Sequence, residues 1–193
     1  MTAEDPYADA NGVLVNKLGI TSAAALSQAE ADLTLAALLD LSSHPLPGSY
    51  DLDHLRGFHR RIFGAIYSWA GQLRTVDIAR TSRDMFCLWP FIESYSAEVF
   101  SQLSSESGLA GLTRSAFVAR LAHYYGEINA IHPFREGNGR TQRAFFGQLA
   151  RDAGWRIAWT ELDRSENDHA SSASLQGDTK PLVVMFEGLV RAR

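Results

Sequence analysis

Apolar positions recur at helical spacing along most of this chain and at strand spacing in one short stretch. Thr21 or Ser22 precedes a run rich in Ala and Leu, which predicts a helix to about Asp40. The Ser, Pro and Gly content of residues 42–49 predicts a loop. Asp51 opens a second helix that buries Leu55, Phe58, Ile62 and Ile66 and ends near residues 69–71. From Leu73 to Ile78 the period changes to two. A polar turn at 81–84 and the apolar run Met85 to Leu88 complete a small hairpin. Helices resume near Pro90 and include Ile92 to Leu103. Thr113 is a suitable N-cap for a helix whose Phe117, Leu121, Tyr124 and Ile128 share one buried face. Phe145, Phe146 and Leu149 mark another helix, stopped by Gly154, and a last one runs from about Pro181 to Val190. The pattern predicts an all-α fold with one β-hairpin at roughly residues 74–88. His59 and Trp69 read as packing residues.

Composition narrows the class. The 193 residues are read as a single domain with a core of useful size. Hydrophobic content is 46% and charged content 21%, as in ordinary globular proteins. No apolar run reaches the ~18 residues of a membrane span, and the first residues lack the pattern of a signal peptide. The lone Cys87 cannot form an internal disulfide, which fits a cytoplasmic location and a small buried hydrophobe. A net charge of −4 argues against nucleic-acid binding, and the six histidines show no zinc-site spacing.

The chemistry is concentrated between two predicted helices. His132, Pro133, Phe134, Arg135, Glu136, Gly137, Asn138, Gly139 and Arg140 are consecutive, and Arg143 follows. A histidine titrates near neutrality, so His132 is a candidate general base. Glu136 is a hard oxygen ligand suited to Mg²⁺, which takes one or two carboxylates plus phosphate oxygens. Gly137 and Gly139 allow positive φ and close approach of backbone to phosphate. Asn138 can donate an amide to a phosphoryl oxygen. Gly137, Asn138 and Gly139 open the following helix, where free N–H groups and the dipole favour an anion. Arg140 and Arg143 lie three apart on that helix and can clamp phosphates together.

The run from His132 to Arg143 resembles the motif of the Fic family, His-x-Phe-x-(Asp/Glu)-Gly-Asn-Gly-Arg-x-x-Arg, at every specified position. The likeness extends to Asn16–Ile20, to His59–Phe63, and from Tyr67 through Gly71 to Ile78, and covers roughly residues 13 to 190. It implies a protein adenylyltransferase moving AMP from ATP to a hydroxyl of a target protein. His132 would be the base, Glu136 the Mg²⁺ ligand, and Gly137, Asn138 and Gly139 the anion pocket. Arg140 and Arg143 would hold the β- and γ-phosphates. The kinase-like branch carries Lys where this chain has Gly139, which favours nucleotidyl transfer.

The hairpin has two readings: a cover for the core, or an exposed edge that aligns a target segment by strand addition. In the family this flap does the second, which assigns target docking to Thr75, Val76, Asp77 and Ile78. Many members carry an inhibitory helix with (Ser/Thr)-x-x-x-Glu-(Gly/Asn). Here the nearest stretches begin with Val183 and Leu162, where a hydroxyl is required. The chain therefore resembles toxin-type members whose inhibitory helix comes from a separate small antitoxin. The resemblance suggests DNA gyrase and topoisomerase IV as targets. Transfer of another group such as UMP, or a silent binding module, are the alternative readings.

Overall fold

A computed structural model describes residues 5–81 and 84–193. The architecture is helical. In order, α1 spans Ala23–Ser43, α2 Leu52–Phe63, α3 Ile92–Ser105, α4 Arg114–Ile131, α5 Asn138–Asp152, α6 Arg164–Leu175 and α7 Lys180–Leu189. Two short strands, β1 (Trp155–Ile157) and β2 (Val190–Ala192), pair antiparallel with Arg156 opposite Arg191. The N-caps expected at Ser22, Asp51 and Thr113 form, each side-chain oxygen accepting an N–H of the first turn.

The centre is α4, packed against α3, α5, α6 and α7. Its pattern predicts one buried face, yet Phe117, Val118, Leu121, Ala122, Tyr125, Ile128 and Ile131 bury it on most sides. A helix that is apolar nearly all round belongs inside a bundle. Small residues make this possible: a Cβ on Gly126 would already touch Leu182 and Ser174 at 3.4 Å. The second helix is shorter than expected, because α2 ends at Phe63, and Ile66 to Gly71 continue as turns.

The sheet is not where the alternating pattern puts it. Between residues 74 and 88 the described residues form one antiparallel bridge, Ala79 to Met85, and no strand. Part of the turn expected at 81–84 lies outside the described residues. The alternation itself is real, since Arg74, Val76 and Ile78 turn inward while Thr75 and Asp77 are exposed. The ladder is missing because the backbone groups are engaged elsewhere. Cys87 N–H donates to the Ala130 carbonyl (2.8 Å), Arg74 N–H to Pro133 (2.9 Å), and Thr75 N–H to the Tyr7 hydroxyl (3.1 Å). The two strands that do form were not legible, since three-residue strands carry too little pattern. Helix α6 was missed because its sequence is mostly polar.

One buried side chain, Arg74, bonds to both sides of the flap and to the end of α4. Arg74 is 1% exposed. Its guanidinium donates to the carbonyls of His132 (2.9 Å), Val76 (2.6 Å), Ile131 (3.3 Å) and Cys87. Two of these belong to the C-terminal end of α4, where the helix dipole favours a cation. Arg74→Ala would orphan several carbonyls at about 1–3 kcal/mol each, so urea unfolding should show a loss of at least ~3 kcal/mol. A loss below ~1 kcal/mol would mean that water replaces the guanidinium freely.

Candidate active site

The loop from Ile131 to Gly137 is built from two left-handed residues. His132 caps α4 with φ 46° and ψ 61°, and Gly137 caps α5 with φ 81°. Only glycine suits the second position, because a Cβ there would lie 2.2 Å from Phe63 Cζ. His132 is the less usual case, a non-glycine residue in this region. Pro133 disfavours the right-handed conformation before it, and Arg74 holds the His132 carbonyl.

This backbone fixes the imidazole. Its Nδ1 lies 3.2 Å from the Asn129 carbonyl, so the proton belongs on Nδ1 and Nε2 keeps its lone pair. The ring stacks on Phe86 with centroids 3.7 Å apart. Burial, with Arg74 and Arg80 nearby, pushes its pKa down to about 3, outweighing the bond to Asn129. His132 is therefore neutral throughout the physiological range, with the Nε2 lone pair unprotonated.

Two clefts meet at this ring. One of roughly 480 Å³ is lined by His132, Gly139, Arg143, Asn129, Asn167 and Arg80, among others. The second, roughly 410 Å³, opens between flap and loop and is lined by Ile78, Ala79, Arg80, Phe86, His132 and Arg135. At the first cleft, α5 begins with N–H groups that lack intrahelical acceptors, and Thr141 is the first to bond back, to Gly137 O at 3.0 Å. These groups suit an anion.

The predicted residues are distributed in more detail than the motif suggests. Arg143 reaches the first cleft, and no carboxylate pairs with it among the described residues. Arg140 does not line that cleft. It is paired with Glu30 of α1, lies 3.3 Å from Thr34 Oγ1, and covers the Phe63 ring at 4.8 Å. Asn138 is buried, and its amide staples the loop: Oδ1 accepts from Phe134 N–H (2.9 Å) and Nδ2 donates to Phe134 O (2.7 Å). That leaves its backbone N–H, rather than its amide, for an anion. Glu136 is half exposed; Oε1 accepts from Gly137 N–H at 2.8 Å and lies 3.5 Å from Arg140 Nη2. No bond to its Oε2 is found among the described residues. The described residues hold no cluster of three or more His, Cys, Asp or Glu that could bind a metal by themselves. A single half-exposed carboxylate fits Mg²⁺ shared with phosphate oxygens and water.

Four functional contributors were missed or underrated. Arg74 was legible in principle, because it falls on the same inward parity as Val76 and Ile78. Glu30 and Arg80 carried no signal, since their partners are distant in sequence. His59 packs as expected, stacked on Phe134 at 3.9 Å, but it also bridges. Its Nδ1 accepts from Gly71 N–H (2.8 Å) and its Nε2 donates to Glu136 O (3.0 Å). Burial pushes its pKa down to about 4.

Residues 49–150 match the pattern of the Fic/DOC family. The chain is 42% identical to protein adenylyltransferase VbhT of Bartonella schoenbuchensis, over 92% of its own length and 37% of VbhT. It thus spans little more than a third of that relative. It is 37% identical to the "Probable protein adenylyltransferase Fic" of Escherichia coli, over 96% of this chain and 92% of the other. Among solved structures, a Fic domain from Bartonella quintana with bound ADP matches with TM-score 0.88 and 27% identity, covering 97% of this chain and 95% of that one. The BepC protein of Bartonella tribocorum with bound AMPPNP covers both chains fully, with TM-score 0.94; at 22% identity it speaks for the fold alone.

The buried neutral histidines should shape the acid response. The unfolded chain binds protons near pH 6.5 and the folded one only near pH 4 and 3. Stability is therefore full above about pH 6.5 and falls as pH drops toward 4, by ~1.4 kcal/mol per unit for each excluded proton. His59→Gln keeps an acceptor and a donor but cannot titrate. Urea unfolding between pH 6 and 4.5 should show a slope shallower by about one proton. An unchanged slope would remove His59 from this role.

Proposed function

The chain belongs to the Fic/DOC family, and on that basis we propose that it is a protein adenylyltransferase, moving AMP from ATP to a hydroxyl side chain of a target protein. The observation that supports this best is the convergence of the two clefts on the unprotonated Nε2 of His132. One cleft carries a helix N-terminus and Arg143 for phosphates; the other admits an extended segment beside the flap. The related Fic domain from Bartonella quintana holds ADP, which favours an adenine nucleotide such as ATP here.

Each residue then has a task. Nε2 of His132 takes the proton of the incoming hydroxyl. The freed oxygen attacks the α-phosphorus, the bond to the β-phosphate oxygen breaks, and pyrophosphate leaves. The N–H groups of Asn138 and Gly139 stabilise charge on the phosphates, as fixed donors do when charge develops. Arg143 offsets the outer phosphates. Arg140 would reach a phosphate only by leaving Glu30. Glu136 would hold Mg²⁺, which would neutralise phosphate charge. Thr75, Val76, Asp77 and Ile78 would carry the target segment, although Thr75 N–H is held by Tyr7 in the present arrangement.

The finer reading is that this catalytic unit is a cytoplasmic toxin whose inhibitory helix comes from a small antitoxin. The near-miss carboxylates Glu166 and Glu187 are exposed and not paired with Arg143. An apolar groove of roughly 360 Å³ between α1 and α5, lined by Leu35, Leu38, Phe58 and Ala144, ends at Arg140 and Arg143. A partner helix seated there would place a glutamate on Arg143. The targets suggested by the family resemblance, DNA gyrase and topoisomerase IV, complete this reading. No helix among the described residues is long and apolar enough to cross a membrane.

ATP labelled at the α-phosphate should transfer its label to proteins of a bacterial lysate, and ATP labelled at the γ-phosphate should not. Transfer of the γ-label would make the enzyme a kinase. His132→Ala should lower the α-label rate by ~10²–10⁴-fold while nucleotide binding persists. Full activity in that variant would refute the assignment of the base. Glu136→Ala should raise the Mg²⁺ concentration needed for half-maximal rate by about tenfold or more, as loss of one charged ligand predicts. An unchanged Mg²⁺ titration would exclude Glu136 as the ligand.

A further inference from the structure

The second cleft has a charge that the molecule as a whole does not. The chain carries a net −4, yet the charged side chains lining the space between flap and loop are Arg80 and Arg135. Among the described residues, none that lines this cleft is acidic. Arg80 comes from the flap, where its Nη1 donates to the backbone carbonyl of Asp168 at 3.0 Å and its Nη2 lies 3.8 Å from the Asp168 carboxylate. Arg135 comes from the loop, three residues beyond His132. The base thus shares this cleft with two cations.

Arg135 already holds a carboxylate. Its Nε and Nη2 both donate to Oδ2 of Asp5, at 2.9 and 2.5 Å, while Oδ1 of Asp5 accepts from Tyr7 N–H at 3.0 Å. Two residues on, the Tyr7 hydroxyl takes the N–H of Thr75 on the flap. The segment around Asp5 and Tyr7 therefore places an acid on the loop and a hydroxyl on the flap. The first of these contacts is made to Arg135, a residue that lines the cleft. Both members of the Arg135–Asp5 pair are partly exposed, so the pair is weakly held and can exchange.

We propose that the target segment entering this cleft carries a carboxylate beside its acceptor hydroxyl, and that Arg135 reads it in place of Asp5, with Arg80 adding positive charge to the same cleft. The proposal rests on the reading of the cleft as the place where a target hydroxyl meets His132. Arginine suits the task, because its planar fork receives a carboxylate with defined geometry and stays charged at every relevant pH. A cationic cleft in an acidic protein also favours the encounter of acidic segments over basic ones. Arg135 is an unspecified position of the motif, so its identity can set target choice without altering the chemistry.

The test uses short fluorescein-labelled peptides with a central Tyr flanked by Asp, by Ala or by Lys. Fluorescence anisotropy with the full chain should rank them Asp, Ala, Lys, with about a fivefold step for each ion pair gained or lost. Added salt should compress the ranking. Arg135→Glu should reverse it, and Asp5→Asn should tighten the Asp peptide severalfold by removing its competitor. Asp5→Asn is a mild change and keeps the test valid if Arg135→Glu fails to fold. Equal binding of the three peptides, absence of binding by all of them, or a ranking unmoved in Asp5→Asn and in a folded Arg135→Glu would overturn the proposal. So would displacement of the Asp peptide by inorganic tripolyphosphate together with loss of ATP binding in Arg135→Glu, which would give the cations to the nucleotide. Binding is measured without ATP. The ranking can therefore hold even if no label is ever transferred, in which case the transfer reading alone fails.

Discussion

A single buried guanidinium ties the candidate site together. Arg74 sits at the C-terminal end of α4 and joins the helix end, the left-handed His132 and the two sides of the flap, which two backbone bonds also link. A buried cation is costly unless its donors are matched. Here they are matched by carbonyls whose own alternative was to remain unsatisfied at a helix terminus. The arrangement is mutual. Without Arg74 the carbonyls lose their donor, and without the turn at His132 the donor has too few acceptors.

From that knot the site follows. The turn at His132 directs Nδ1 back to the Asn129 carbonyl and leaves Nε2 for the clefts. His59 ties the next part of the loop, Glu136, to the turn at Gly71. The amide of Asn138 closes the loop on Phe134. Phe63 pressing on Gly137 then fixes the start of α5 and the direction of its free N–H groups. Most of the polar side chains in the motif thus build the loop. On the proposed reading, few remain for a substrate, chiefly His132, Arg143 and the half-exposed Glu136.

Much of this was legible in the sequence. The helices α1 to α5 and α7 fell near their expected places, and the caps read at Ser22, Asp51 and Thr113 formed. The catalytic loop was recognisable because its residue types are close together in sequence. What could not be read depends on distant pairs. Nothing around Glu30 indicates that it meets Arg140, 110 residues away. The alternation from Leu73 to Ile78 correctly reported sidedness. It could not report that side chains and a neighbouring helix, rather than a second strand, would take the backbone hydrogen bonds. Helical spacing does set Arg140 and Arg143 on one groove, but it could not report that Glu30 and Phe63 engage the first arginine.

The central claim is that the fold delivers a neutral imidazole with Nε2 bare at the meeting of two clefts. Nitrogen NMR of the His132 ring in the full chain addresses it directly. The account predicts a proton on Nδ1, none on Nε2, and no titration as pH falls from 8 to about 4. A proton on Nε2, or a titration near 6.5, would contradict it.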